Sequence, residues 1–303
     1  MSSGSNRGVW VGAAAYTIWG LFPLYWKQLE FMPAGQIIAH RIVWSFVVLV
    51  PVLAGSTWRL AGDRTGAMGV AVSIAVGVYT VAALLIAVNW FTYVWAVNHD
   101  YVVETSLGYF ITPLVNVLLG VAVLRESLRP GQWVAVGLAA GGVAYLTAVY
   151  GTVPWIALAL AISFGTYGLV KKKAPMPPLP GLTLETGLLF VPAVAFLVAA
   201  EVRGDGAFGH AGTLPTILMA GAGVVTTVPL LMFAMAVRHV PLSVIGILQF
   251  IAPTIQFFLG VFVYREPFSR GQLIGFGLVW TALAVFAMES WRPRQLMIDR
   301  FED

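Results

Sequence analysis

Ten apolar stretches of about twenty residues run through the sequence, and they constrain its fold more than any other feature. A helix needs roughly 20 apolar residues to span a bilayer, whereas a transmembrane β-strand needs only about 10, with alternating polarity. These stretches are rich in Leu, Ala, Val and Gly and do not alternate. They predict an all-α membrane protein with ten transmembrane helices at residues 8–26, 35–54, 69–97, 102–124, 132–149, 153–170, 182–200, 214–237, 242–264 and 272–287.

The third of these stretches is the longest, and we expect its helix to be strongly tilted or broken near Asn89. The composition agrees with a lipid environment, because 59% of the residues are hydrophobic and only 10% are charged. A soluble domain carries charge on roughly a quarter of its residues. The lipid bilayer is therefore the first predicted partner.

The distribution of Lys and Arg predicts the orientation, because cytoplasmic loops of membrane proteins are enriched in these residues. With the N-terminus placed inside, twelve of the 17 basic residues fall in inner segments, four in outer segments, and one, Arg41, within a span. Both termini are therefore expected in the cytoplasm. Because membrane topology accounts for the excess of basic over acidic residues, we expect no nucleic-acid partner.

An internal repeat divides the chain into two halves. At an offset of 140 residues, positions 96–137 match positions 236–277 without a gap and with 15 identities in 42 positions. The matched residues include Pro113 with Pro253 and Arg125-Glu126 with Arg265-Glu266, which a shared bias toward Leu and Val does not produce. We therefore expect two five-helix repeats, at residues 1–150 and 151–303. Five is an odd number of spans, so the second repeat is predicted to be inverted relative to the first.

Inverted repeats have two related packings, one open to each side of the membrane, with a site between them near the midplane. This favours a transporter, and a membrane channel or a structural membrane protein without transport is the alternative. The chain has no cysteine, no His-x-x-x-His pair, no phosphate loop and no nucleophile–base pair on one face. We therefore expect no enzymatic activity, no cofactor, no metal and no ATP hydrolysis by this chain.

Ionisable residues within the spans are few, and such residues are functional candidates because burying them in lipid is costly. They are His40 and Arg41 in the second span, Glu104 in the fourth and Glu185 in the seventh. Arg41 is a candidate for binding an anionic substrate group, with Glu104 as a gate or proton carrier. The alternative is a structural Arg41–Glu104 ion pair, or two side chains that reach the interface. Glu185, near the inner end, is expected to be interfacial.

A polar stripe follows the fourth span at spacings of four, three and four residues, which places Thr105, Tyr109, Thr112 and Asn116 on one helical face. The repeat places Gln249 and Gln256 of the ninth span at the positions of Tyr109 and Asn116. Such groups either line an aqueous cavity or hold helices together. Because related helices carry them at equivalent positions, we favour the cavity and predict substrate contacts at Arg41, Trp44, Glu104, Tyr109, Thr112, Asn116, Gln249 and Gln256.

Five segments resemble the RarD family of the EamA-type drug/metabolite transporters. They are residues 16–27 (YTIWGLFPLYWK), 40–45 (HRIVWS), 106–116 (SLGYFITPLVN), 163–172 (SFGTYGLVKK) and 226–231 (TTVPLL). The resemblance implies ten helices around a central cavity, transport of metabolites or drugs, and the inner membrane of a bacterium. The family also carries a chloramphenicol-sensitivity label. Related members often have Gly-Glu where this chain has Arg125-Glu126 and Arg265-Glu266, a departure that concerns the helix ends rather than the cavity.

These observations together predict a secondary transporter that exports small metabolites or drugs by alternating access. Its expected partners are a small-molecule substrate, the lipid bilayer, and a coupled proton or counter-substrate. We expect a monomer, with an oligomer as the alternative.

Overall fold

A computed structural model describes residues 3–29, 31–57, 68–98, 102–150, 155–265 and 270–291. Within these ranges every regular element is helical. The helices are α1 (Ser3–Gly20), α2 (Phe22–Trp26), α3 (Ala34–Thr57), α4 (Met68–Asn98), α5 (Val102–Leu124), α6 (Pro130–Tyr150), α7 (Trp155–Lys173), α8 (Pro178–Val202), α9 (Thr213–His239), α10 (Leu242–Leu248), α11 (Ile251–Phe258) and α12 (Arg270–Trp291).

The predicted all-α fold with ten membrane helices is confirmed. α1 and α2 together form the first predicted span, α10 and α11 form the ninth, and each other span is a single helix. Five described segments are both long and apolar enough to cross a membrane, and they lie at Ala34–Ser56, Ala75–Tyr93, Pro178–Val202, Thr213–His239 and Leu242–Val263. The protein is therefore a multi-pass membrane protein.

α4 is one continuous helix, so the alternative of a break near Asn89 is wrong. At 31 residues and about 1.5 Å per residue it exceeds the roughly 30 Å thickness of the hydrocarbon core, so it must tilt or project. Asn89 does not interrupt the helix, because its side-chain amide bonds to a neighbouring helix and not to the backbone of α4. Its Nδ2 donates to the Leu160 carbonyl at 2.9 Å and to Ser163 Oγ at 3.0 Å, which ties α4 to α7.

The first span is divided at Leu21 into α1 and α2 because Pro23 has no backbone N–H. A helix continuing through residue 23 would have paired that N–H with the carbonyl of Trp19. Gln256 of α11 supplies the missing donor, since its Nε2 donates to the Trp19 carbonyl at 3.2 Å. Gln256 therefore joins the two halves of the chain at the point where the first span bends.

The ninth span is divided in the same way. α10 ends at Leu248, α11 begins at Ile251, and residues Leu259–Val263 continue as a π-helix. Pro253 lies four residues after Gln249 and cannot donate to its carbonyl, which accepts only a long bond of 3.3 Å from the N–H of Ala252. Pro113, its counterpart in the first half, lies within an uninterrupted α5.

Helices of the two halves contact one another in reciprocal pairs. Under the repeat, α1 corresponds to α7, α3 to α8, α4 to α9, α5 to α10 with α11, and α6 to α12. α1 packs on α9 and α7 packs on α4; α3 packs on α9 and α8 packs on α4; α5 packs on α7 and α11 packs on α1. The remaining large contacts, α3 with α8, α5 with α10 and α6 with α12, map onto themselves. Two bodies related by a twofold axis make contacts of this kind.

The core of the molecule lies where α1, α7, α9 and α10 meet. Tyr16, Tyr167 and Phe233 are almost completely buried there, and the rings of Tyr167 and Phe233 stack with centroids 6.1 Å apart. Trp19 and Phe164, which flank this layer, contact each other edge to face. Tyr167 and Phe233 each lie six residues before the end of their helix, so this aromatic layer lies nearer to the ends of α7 and α9 than to their starts.

Candidate functional site

Arg41 lies in the second turn of α3 and points into the bundle. Its guanidinium carbon is 4.9 Å from the centre of the Trp26 ring and 4.6 Å from that of Trp90, a cation–π arrangement. Its Nε donates to Thr226 Oγ1 of α9 at 3.1 Å. Elements of both halves of the chain therefore hold this positive charge.

Close approach of α9 to α3 places Thr226 beside Arg41. Gly223, one turn before Thr226, lies directly against the backbone of Trp44, so a side chain at that position would collide with α3. Ser45 Oγ also donates to the Gly223 carbonyl at 3.3 Å. The absence of a side chain at Gly223 thus sets the helix spacing that the Arg41–Thr226 bond requires.

Tyr93 of α4 and Tyr109 of α5 complete this group. Their rings are 6.2 Å apart, edge to face, their hydroxyl groups are hydrogen-bonded to each other, and both interact electrostatically with Arg41. Tyr93 is 38% exposed and Tyr109 41% exposed. Arg41 itself is half-buried, and from this accessible surface we infer an open cavity beside Arg41 that both tyrosines border.

The polar stripe on α5 is only partly open. Tyr109 borders the cavity, whereas Thr112 and Asn116 are buried and Gln249 is 6% exposed. Asn116 Nδ2 donates to Gln249 Oε1 at 2.6 Å, which joins α5 to α10 in the core. Thr112 Oγ1 donates to the carbonyl of Gly108 in its own helix at 2.7 Å. In this structure the inner part of the stripe therefore connects helices, and Tyr109 is the stripe residue at the cavity.

Trp44 lies at a different cavity from Arg41, three residues along α3. This side cavity of about 400 Å³ lies between α3, α8 and the loop after α8, and His40 and Phe208 also line it. Phe208 stacks on His40 with centroids 5.1 Å apart and lies 5.8 Å from Trp44. The structure thus separates Trp44 from the group around Arg41. The side chains of Glu104 and Thr105 lie outside the described part of the chain.

Glu185 is not interfacial, contrary to the expectation. It is 1% exposed, and its Oε2 accepts a hydrogen bond of 2.7 Å from Nζ of Lys171, which is 3% exposed. The rings of Tyr79 and Tyr167 lie 5.3 and 5.6 Å from the Lys171 ammonium. The span predicted at residues 153–170 leaves Lys171 in a basic loop, and no sequence pattern links it to Glu185, which lies on the next helix.

Sequence reasoning also missed a polar clamp at the end of the bundle where α9 meets α10. The Glu126 carboxylate accepts from the N–H of Leu242 at 2.7 Å, and from the N–H and Oγ of Ser243 at 3.0 and 2.7 Å. Lys172 Nζ donates to the carbonyls of Val237 and Val240 at 3.0 and 2.6 Å. The repeated Arg-Glu dipeptide was the signal that marked Glu126.

These interactions match the charge at each helix end. A carboxylate satisfies the free N–H groups at the start of α10, and an ammonium satisfies the free carbonyls at the end of α9. The two clamp residues come from the loop after α5 and from the end of α7, so parts of both halves close this end. Among the residues that the structure describes, no cluster of three or more His, Asp or Glu side chains could hold a metal ion.

Comparisons with known proteins agree on one family. The model of the EamA-like transporter family matches residues 6–148 and again residues 152–288. The uncharacterized transporter YojE of Bacillus subtilis is 45% identical, covering 93% of this chain and 94% of YojE. Protein RarD of Streptomyces exfoliatus is 43% identical, covering 98% and 93%. A crystal structure of another protein has a TM-score of 0.68 at 17% identity, covering 95% of this chain and 99% of that one, which shows a shared fold.

Proposed function

The chain belongs to the EamA-like transporter family, within its RarD branch, and we propose that it is a secondary transporter that exports small metabolites or drugs by alternating access. The observation that carries this proposal is the accessible surface of Tyr93 and Tyr109 beside Arg41, from which the cavity is inferred. The walls of this cavity come from α3, α4 and α5 of the first half, and Thr226 of α9 in the second half holds the arginine. A site between two halves is where a carrier of this architecture binds its substrate.

We propose further that residues 1–150 and 151–303 form two inverted repeats. The reciprocal helix contacts support this arrangement. So does a shared backbone feature: Arg125 after α5 and Arg265 after the ninth span both have φ of 55°. Two equivalent positions, 140 residues apart, thus end equivalent helices with the same left-handed residue.

The clamp of Glu126 and Lys172 supports the alternating-access mechanism. It holds the α9–α10 turn closed below the buried Asn116–Gln249 pair and the aromatic layer. Opening this end requires the clamp to release. We propose that Thr112, Asn116, Gln249 and Gln256 then reach the cavity, with Trp44 and Glu104 as further substrate contacts.

The family and its bacterial relatives support a location in the bacterial inner membrane. The charge asymmetry of the loops supports a topology with both termini in the cytoplasm. With this orientation the clamped end is the cytoplasmic end. A monomer suffices for transport, because the cavity lies within one chain. We assign the protein no enzymatic activity, and we propose a coupled proton or counter-substrate as the driving force.

Counterflow tests the proposed mechanism. A thermal-shift screen of the purified protein against a metabolite library first identifies a ligand. Vesicles containing the protein are then preloaded with unlabelled ligand, and uptake of labelled ligand is followed. A carrier gives saturable uptake with a transient overshoot above equilibrium. Flux that rises linearly with concentration and shows no overshoot would establish the channel instead, and no flux of any ligand that binds would favour a structural protein.

A further inference from the structure

We infer that the cavity beside Arg41 recognises its substrate by a single carboxylate attached to an apolar body. This inference rests on the proposed transport function and adds the chemical class of the substrate. It comes from what the Arg41 guanidinium does and does not contact among the described residues.

Most of the hydrogen-bonding capacity of Arg41 is unused. A guanidinium has five N–H donors, and among the described residues only Nε has a partner, Thr226. No carboxylate of the described residues lies within ion-pair distance of it. The terminal nitrogens are not among the buried polar atoms that lack a partner, so they face accessible space. The four donors on these nitrogens are therefore available to a ligand.

The groups at and around Arg41 favour a substrate anion of a particular shape and charge. Paired terminal N–H groups match the two oxygens of a carboxylate. The hydroxyls of Tyr93 and Tyr109 interact electrostatically with Arg41 and are hydrogen-bonded to each other, which leaves one O–H donor for a ligand. A carboxylate carries one negative charge and neutralises the one positive charge of Arg41. A phosphate dianion would leave a net charge in a site within the membrane, which is costly.

The side chains around Arg41 indicate the chemistry of the rest of the substrate. The indoles of Trp26 and Trp90 lie against the guanidinium, and the phenol rings of Tyr93 and Tyr109 continue this aromatic surface. Such walls favour an apolar or aromatic body on the substrate. An extended polar chain of several hydroxyls would find few partners here.

Three probes of one shape test the charge requirement: phenylacetate, its neutral amide phenylacetamide, and the cation phenethylamine. Isothermal titration calorimetry of the purified full chain, with protein-free micelles as a blank, gives each affinity. Phenylacetate should bind at least about tenfold more tightly than the amide, since a hydrogen bond to a charged group is worth about 1.5–3 kcal/mol. Equal affinities, or a preference for the amine, would overturn the inference.

Variants assign the selectivity to Arg41. Arg41→Gln should abolish the preference for phenylacetate over the amide, and Lys27→Gln, which removes a cation outside the cavity, should preserve it. If Arg41→Gln does not fold, Tyr93→Phe and Tyr109→Phe remove only hydroxyls and should each lower phenylacetate affinity about threefold to tenfold. Unchanged selectivity in Arg41→Gln, or in both Phe variants where it does not fold, would contradict the assignment.

Further measurements distinguish a failure of this inference from a failure of the proposed transport function. Glu104→Gln should not raise phenylacetate affinity, and a tenfold gain would show that the Glu104 carboxylate occupies the Arg41 donors and would overturn the inference. Counterflow of phenylacetate should accompany binding. If only neutral ligands show counterflow, the inferred carboxylate substrate is contradicted, whereas the proposed carrier function is supported. Phenylacetate binding without counterflow of any ligand would support the site and contradict the carrier.

Discussion

At the scale of single residues, the buried Lys171 and the half-buried Arg41 are held in different ways. Lys171 has a carboxylate partner, Glu185, whereas Arg41 has two indole rings and one hydroxyl among the described residues. A buried charge with a partner is a structural unit whose two members depend on each other. A half-buried charge with free donors is instead available to a ligand.

We expect the Lys171–Glu185 pair to show this dependence in its stability. Lys171→Met and Glu185→Gln should each lower the free energy of unfolding by about 3–5 kcal/mol, because each leaves one buried partner uncompensated. The double variant should recover most of the loss. Thermal melting of the purified protein in detergent measures all three.

The exposed pair of Arg203 and Asp205 is the matched control, since its side chains are 59% and 66% exposed. Arg203→Ala should change stability by less than about 1 kcal/mol. Additive losses in the Lys171–Glu185 double variant would show that each residue acts through other partners, with the ring contacts of Lys171 to Tyr79 and Tyr167 first among them.

The sequence identifies Arg41 as a candidate because a charge inside an apolar span is visible in one dimension. It does not identify Trp26, Trp90 or Thr226 as its neighbours, because they lie on other helices and Thr226 is 185 positions away. It also misplaces Lys171, which stands in a row of three lysines and has a partner on another helix. Side-chain partners across helices depend on packing, and packing is not periodic along the chain.

At the scale of helices, α5 is followed by an arginine, Arg125, in the left-handed backbone conformation that favours glycine. Arg125 follows the last helical residue with φ of 55°, and the N–H of Glu126 donates to the carbonyl of Gly120, six residues earlier, at 3.0 Å. Left-handed backbone costs a residue with Cβ roughly 1–2 kcal/mol, whereas glycine adopts it freely.

We therefore expect Arg125→Gly to stabilise the protein by about 1 kcal/mol, and Arg265→Gly, with the same φ, to do likewise. Melting temperature measured in detergent checks both variants. Arg125→Ala is the control, because it removes the side chain but keeps the strained backbone, and it should give no gain. Equal stabilisation by alanine would show that the charge, and not the backbone, is unfavourable at this position.

Hydrophobic stretches predict the helices well because lipid requires long apolar segments with internally paired backbones. Their breaks are less predictable. Pro23 and Pro253 each divide a span, whereas Pro113 does not, although it occupies the position equivalent to Pro253. The difference depends on what satisfies or replaces the freed carbonyl, such as Gln256 at Trp19, and this is a property of the assembled bundle.

At the scale of the whole molecule, the two halves must lie in the membrane in opposite orientations if they are inverted repeats. Reporter fusions should then place the Lys171–Lys173 segment and the C-terminus on the cytoplasmic side, and residues 204–210 on the outer side. The loop charges predict this orientation. Termini on opposite sides would contradict both the count of ten crossings and the inverted repeat.

The clamp makes alternating access testable, because the chain has no cysteine and single thiols can be introduced without background. In the structure Tyr109 is 41% exposed, whereas Asn116 is completely buried beside Gln249. Tyr109→Cys should therefore react with a small polar thiol reagent, and Asn116→Cys should be protected.

Weakening the clamp should reverse this protection. Both oxygens of Glu126 accept hydrogen bonds from the start of α10, so Glu126→Gln replaces one acceptor with an amide nitrogen and removes the charge. Losing one such bond costs about 1.5–3 kcal/mol, and each 1.4 kcal/mol shifts a two-state population about tenfold. Adding Glu126→Gln to Asn116→Cys should thus raise its reaction rate at least about tenfold toward reagent applied at the clamped end. Glu201→Gln, at an exposed carboxylate that contacts His210, should leave the rate unchanged. If Asn116→Cys stays protected in Glu126→Gln, then Glu126 caps α10 without gating, and the polar stripe holds helices together in every state of the protein.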